Sequence, residues 1–565
     1  MRNKSTDKAM ARVLVIAAPL VSIFVSTSSS ADPVNVPKML ILAPLAFVSM
    51  GLALQKGKDL LLREMRATVI FTAFFLMALV ASLLFSSAPK SQMFFGTYGR
   101  NTGFLTYLSL LFLLFSASLV RSHDFPRQIV KGFIVVGIVN VLYCLMQLAK
   151  IDPLPWNNTY GYILGTFGNP DFISAFLGMS VVVMLAILLG DIKNWKVVTF
   201  ALVYAALALI EIKTSHAIQG FMVALIGSAI VVFFYLRSLT KGNLIVSSYS
   251  LLIFAIGIFA TMGALQKGPL THLIYKVTVS LRGEYWASAI NALKGHFFFG
   301  VGLDSLGDWY RRERRPSALI LPGPRTVINT AHNVILDMGA NGGILLLISY
   351  LLLIYLGLQA IIRLTLRNRK FDTSFVALSA AWIGFQAQSI VSINQIGLAI
   401  WGWLLTGALV AYEISTRGLP DSQVISESTR NRKSSNVQSS IPASTVLTGS
   451  IAGLLGLLLA LPPFIADAHW LTAIRSKNVE KIQKSGVEFP LDSNRLVVSS
   501  ATLMQNGFNR QALDIARIAV RFNPNSFDSW NLLWNNPNAT APEKEKAIEM
   551  LKVLDPLNPD VQKLK

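Results

Sequence analysis

The chain has 565 residues, 53% of them hydrophobic and 14% charged, with a mean hydropathy of +0.53. A soluble globular protein carries nearer a quarter charged residues, so a soluble domain is excluded and an all-α, polytopic membrane bundle is expected. The net charge of +21 suggests nucleic acid at first sight, but Lys and Arg gather in alternate loops rather than on one face, and no nucleic-acid partner is expected.

A span needs about 20 apolar residues. Thirteen candidates follow along the chain, at roughly 11–27, 36–54, 67–86, 102–120, 129–149, 171–190, 197–212, 217–236, 244–263, 333–359, 372–390, 395–415 and 443–463. The small residues from Ser26 to Ala31 would suit a cleaved signal, yet a second span follows at once, which favours an uncleaved first helix. One set of loops holds 23 Lys and Arg, including Arg2, Lys56, Arg121, Lys193, Arg237, Arg367 and Arg430; the short loops between hold 5, namely Lys38, Lys90, Arg100, Lys150 and Lys213. The positive-inside rule then puts the N-terminus in the cytoplasm and the C-terminus outside.

Residues 1–415 read as the membrane core, with a large external loop at 264–331. Residues 416–442 read as a cytoplasmic linker rich in Ser, Asn and Arg, 443–463 as a further span, and 464–565 as an external helical tail. In the tail, Ala512, Ile515, Ala516 and Ala519 recur at helical spacing. Pro524 and Pro556 close two successive helix pairs at a spacing similar to the roughly 34 residues of tetratricopeptide repeats. Cys144, the one cysteine, sits in the fifth span without a partner and reads as a small packing residue. No His, Asp or Glu cluster at ligand spacing appears outside the spans, so no metal or other cofactor is expected.

Polar signals concentrate on the expected outer face. They are Gly96-Thr-Tyr-Gly-Arg100-Asn101-Thr-Gly103, Gly165-Thr-Phe-Gly-Asn169-Pro170-Asp171, Thr214-Ser215-His216, and the large loop with Arg282, Arg311, Arg312, Arg314, Arg315 and a closing Ala331-His332-Asn333. A histidine at a loop–helix boundary among arginines suits proton removal beside an anion. Simpler alternatives exist for each residue. His332 can cap a helix, Arg282 and Arg100 can anchor spans at the headgroups, the Arg311–Arg315 run can bind headgroups, and Asn169-Pro170-Asp171 can cap the sixth span. Asp337 lies five residues after His332, too far round a helix for a same-face pair.

Taken in order, these loops, with Arg282-x-x-x-Trp286, Gly300-Val-Gly302 and Gly342-Gly343, resemble the O-antigen ligase and O-antigen polymerase superfamily over about residues 90–415. The resemblance implies a metal-independent glycosyltransferase. It would move glycan from an undecaprenyl-diphosphate carrier to a hydroxyl of a glycan, lipid or protein acceptor, with inversion, at the outer face of the bacterial cytoplasmic membrane. It makes His332 the base and Arg282 a diphosphate ligand. Arg100, His216, Asn333 and the Arg311, Arg312, Arg314 and Arg315 cluster become the expected substrate-binding residues.

One departure stands out. Ligases of the family have a Thr-x-Ser-Arg-like motif where this chain has Thr214-Ser215-His216. Ligase and polymerase therefore stay equally open, and a protein O-oligosaccharyltransferase would look alike. A lipid-glycan transporter is the competing class, but it would place polar groups near the midplane. Membrane lipids are expected partners, as are envelope assembly proteins through the tail.

Overall fold

The computed structural model describes residues 2–240, 242–417 and 442–564. Among these residues the regular structure is all helix. Each expected span is a helix. The first six are α1 (Arg2–Ile23), α2 (Asn35–Leu54), α3 (Arg66–Phe85), α4 (Phe104–Ser118), α5 (Phe125–Leu148) and α6 (Pro170–Gly190). Next come α7 (Trp195–Thr214), α8 (Gln219–Leu239) and α9 (Leu244–Ala264). The large loop contributes α10 (Val277–Gly295) and α11 (Leu306–Glu313). Then follow α12 (Val334–Arg367), α13 (Thr373–Ser389), α14 (Ile396–Ser415) and α15 (Ala443–Ser476). Among the described residues, ten helices are long and apolar enough to cross a membrane. The expected count of thirteen differs for physical reasons. Helix α1 is charged in its first half, and α4 and α13 have only 15 and 17 residues.

Helix α14 forms the centre, with its apolar stretch wholly buried against α1, α4, α12 and α13. It is rich in Gly and Ala, which lets neighbouring helices approach closely where no hydrophobic force drives them together. Helix α9 is the opposite case: none of its apolar stretch is buried, and among the described residues its main packing is on α8 and a short helical turn after it.

The turns fall alternately at two ends of the bundle. At one end Lys56 pairs with Asp7 at 2.7 Å, Arg367 with Glu413 at 2.8 Å, and Arg237 bonds the Asn368 carbonyl. At the other end Asn35 bonds the Gly99 carbonyl and Arg100 pairs with Asp304. Lys38, expected in a simple connector, is buried there, and its Nζ donates to the carbonyls of Val21, Ser22 and Phe24 at 2.7–3.1 Å. A cation at the last carbonyls of α1 closes that helix end.

Helix α15 runs without a break to Ser476, past residue 463, where the span is expected to end. The tail holds α16 (Val479–Gly486), α17 (Ser493–Gln505), α18 (Asn509–Phe522), α19 (Phe527–Asn535) and α20 (Ala541–Leu554). Apart from its ends, the expected linker at 416–442 lies outside the described residues.

Candidate active site

Glycine positions the loop. Gly300 has φ +69 and Gly343 has φ +73, a region that side-chain-bearing residues rarely adopt. A Cβ on Gly300 would lie 2.4 Å from the Asn341 carbonyl, and one on Gly343 2.3 Å from the Phe298 carbonyl. Bare backbone lets the two strips meet. Val301 N–H donates to the Ala340 carbonyl, Gly302 N–H to Asn341 and Ile344 N–H to Phe297. Helix α12 breaks its helical dihedrals at Gly343 to make this contact. The Asn341 amide oxygen then accepts from the N–H groups of Ser305 and Leu306 at 2.9 Å and starts α11.

His332 stands on the turn entering α12, in the left-handed region at φ +52. A non-glycine residue held there is strained, and the surroundings must hold it. Asp337 does so from one turn inside the helix: it accepts from the Thr330 hydroxyl and from Ala331 N–H. His332 N–H in turn donates to the Thr330 hydroxyl at 3.3 Å. As the spacing indicates, Asp337 is no direct partner of the imidazole; it shapes the turn that presents it. Asn333 caps α12 by accepting from Leu336 N–H at 3.1 Å.

Burial, then the charges of Arg282 and Arg100, push the His332 imidazole down from 6.5 to about 4. It is therefore neutral near pH 7, with a lone pair free to accept a proton. The Tyr285 ring lies 5.7 Å from it, on the same helix as Arg282. Among the described residues the Arg282 guanidinium makes no hydrogen bond, and it feels the charge of Asp171 from the start of α6. Arg100 differs. It pairs with buried Asp304 at 2.9 Å and bonds the Asn329 carbonyl, so its charge is held in place beside the site. Burial raises the Asp304 carboxyl, and Arg100 opposes that rise. Asp304 also accepts from Thr97 N–H and Thr102 N–H, tying the Gly96–Gly103 loop to the Gly300–Gly302 strip.

The structure thus brings together His332, Arg282 and Arg100. Three of the four arginines of the cluster have partners of their own. Arg314 and Arg311 pair with Asp555 of the tail at 2.5 and 3.2 Å, both Arg314 and Asp555 being fully buried. Arg312 lies over the Trp309 ring and bonds Asn525. Arg315 is exposed. His216 is exposed, with its ring 4.4 Å from Tyr162. Asn169 caps α6 by accepting from Asp171 N–H at 2.8 Å. Sequence reasoning missed Asp304, Tyr285 and Asp555. The first stands two residues after the Gly-Val-Gly strip and was open to notice. The other two carry no local signal. Among the described residues no three His, Cys, Asp or Glu side chains converge as a metal site.

Residues 214–351 match the family model described as O-antigen ligase, from the turn carrying His216 to the kinked helix after His332. That segment supports a place for the chain in the O-antigen ligase and polymerase superfamily. No curated protein matches it. The matched ligase segment contains Arg282, Asp304, His332 and the Gly343 kink, while Arg100 and the tail lie outside it. The match supports a ligase- or polymerase-type activity in cell-surface polysaccharide synthesis, and the apolar helices support a multi-pass membrane protein.

Proposed function

We propose that the protein transfers or polymerises glycan from an undecaprenyl-diphosphate-type carrier onto an acceptor hydroxyl at the outer face of the bacterial cytoplasmic membrane. The observation that carries this reading is a partly buried His332 at the strained turn into α12, within the field of both Arg282 and Arg100, which with burial keep the imidazole neutral. His332 takes the proton of the acceptor hydroxyl as its oxygen bonds to the anomeric carbon. The bond from that carbon to the diphosphate oxygen breaks, and its electron pair leaves with the lipid diphosphate. Arg282, without a hydrogen-bonding partner of its own among the described residues, meets that charge, and a guanidinium does so bidentately without titrating. In-line attack gives inversion, and no step calls on a metal.

His332, Arg282 and the loop motifs gather at one end of the bundle, which favours transfer at an interface over transport through the midplane. Lys and Arg crowd the opposite end, so the site end is outside and the N-terminus is cytoplasmic. The tail, read as two tetratricopeptide-like hairpins, lies on the site's side. Purified protein with a lipid-linked glycan and candidate acceptors tests the reading. Wild type should form a new glycosidic bond, and His332→Ala and Arg282→Ala should form it far more slowly. Full activity in both variants would sink the site assignment. Passage of the lipid across a bilayer without bond formation would replace transfer by transport.

A further inference from the structure

A cavity of about 510 Å³ opens between the α1–α2 turn, the loop before α6 and the end of α15. Its size falls within the roughly 300–1,000 Å³ of small-molecule pockets. Two of its walls continue into the site. Gly99 lines it and precedes Arg100; Asn169 lines it and stands two residues before Asp171, the acid that faces Arg282. The lining chemistry is specific. Trp156 and Tyr160 supply aromatic rings, Asn35, Asn169 and Gln395 supply amides, and Asp32 supplies a carboxylate.

These groups are half-spent. The Trp156 N–H donates to Tyr143 at 2.5 Å, so the ring has only its carbon surface left to offer. Asn169 gives one amide N–H to the Tyr160 hydroxyl at 3.0 Å, Asn35 gives one to the Gly99 carbonyl at 2.7 Å, and Gln395 gives one to Asn35. Each amide carries two N–H donors, so one stays available on each. Asp32 uses Oδ1 on the N–H groups of Val34 and Asn35, while its Oδ2 has no hydrogen-bond partner among the described residues. Arg475, the cation on the rim, donates to the Ser28 carbonyl.

A sugar ring needs this combination. Its C–H face packs on an aromatic ring, and its hydroxyls both donate and accept. An acyl chain would leave the amides unanswered. A phosphate would meet the Asp32 carboxylate.

We propose that this cavity is a glycan subsite, holding neutral pyranose units of a substrate chain whose reacting end lies at His332. The proposal rests on the glycosyltransferase reading above and adds where the sugars sit.

Photo-crosslinking in living cells tests it and separates the two ideas. p-Benzoylphenylalanine is placed in the full chain at Asn157, on the cavity wall, or at Tyr285, beside His332. The purified protein is then stained for the cell's own lipid-linked glycans after periodate oxidation. Glycan adducts at both positions are expected. Tyr160→Ala and Asp32→Asn should lower the Asn157 adduct at least fivefold and leave the Tyr285 adduct unchanged. An adduct at Tyr285 alone, or an Asn157 adduct indifferent to both substitutions, overturns the cavity and spares the enzyme reading. Adducts at neither position overturn both.

Discussion

At the scale of residues, the decisive property is the protonation of His332. Its value of about 4 in the folded protein lies below the ordinary 6.5. Between these values the unfolded chain binds the extra proton, so stability rises with pH through the window and is lost as pH falls from about 6.5 toward 4. The same number sets a kinetic expectation. The acid limb of kcat/KM, which reports the free enzyme, should fall near pH 4. That of kcat should lie higher, because bound diphosphate offsets the arginine charges that depress the imidazole. Coincident limbs in a pH series would deny the arginines that role. His332→Ala should slow transfer by about 10²–10⁴-fold, the usual worth of a general base. Arg282→Ala should cost about 10²–10³-fold, and Arg282→Lys should recover only part of that, since an ammonium cannot grip two oxygens in a fork. Initial rates on a lipid-linked glycan check both. His332 and Arg282 were legible in the sequence because each sits in a local motif. The Arg100–Asp304 pair was half legible: the arginine stands in a motif, but its partner is two hundred residues away.

At the scale of elements, glycine spacing could be read from the sequence but its purpose could not. Gly300 and Gly343 stood in the motifs Gly300-Val-Gly302 and Gly342-Gly343; in the fold they let two backbone strips touch. Gly343→Ala should therefore act strongly. Holding a side-chain-bearing residue at that φ costs about 1–3 kcal/mol before the clash with Phe298 is counted. A lower Tm and faster proteolysis of the large loop are expected, with transfer falling in step. Gly257→Ala is the matched control. Gly257 lies mid-way along α9 with nothing within 4 Å of its would-be Cβ, so helix propensity alone should hold or slightly raise the Tm. A loss as large as that of Gly343→Ala would show that any glycine replacement disturbs the bundle.

At the scale of the whole molecule, the tail and the large loop are one assembly. Asp555 holds Arg311 and Arg314, and Asn523 bonds Asp308 of α11 at 2.9 Å. Removing one partner of a buried pair costs about 3–5 kcal/mol, because the other charge stays behind. Asp555→Ala should loosen the tail. Hydrogen exchange should rise in α11 and at the Arg314 turn, and transfer should fall although no substrate contact is lost. Unchanged exchange there would mean that the ion pair is not what joins the two parts. The helices of the tail were visible in its apolar periodicity. Its docking was not: Asp555 opens an Asp-Pro-Leu-Asn-Pro run that reads as a turn, and its partners lie 241 and 244 residues earlier. The contact also demands that loop and tail share one side of the membrane. The chain must then cross an even number of times between them, and α12 to α15 supply four helices, the 17-residue α13 included.

The same ion pair has a consequence in time. Arg314 leaves the ribosome 241 residues before Asp555, and α12 to α15 are made in between. Until the tail arrives, the loop that carries His332 holds two guanidiniums without their carboxylate. A copy truncated or stalled within α14 or α15 would thus display the large loop with no brace. The brace on the earlier-made loop can therefore form only after the later-made segment has been synthesised.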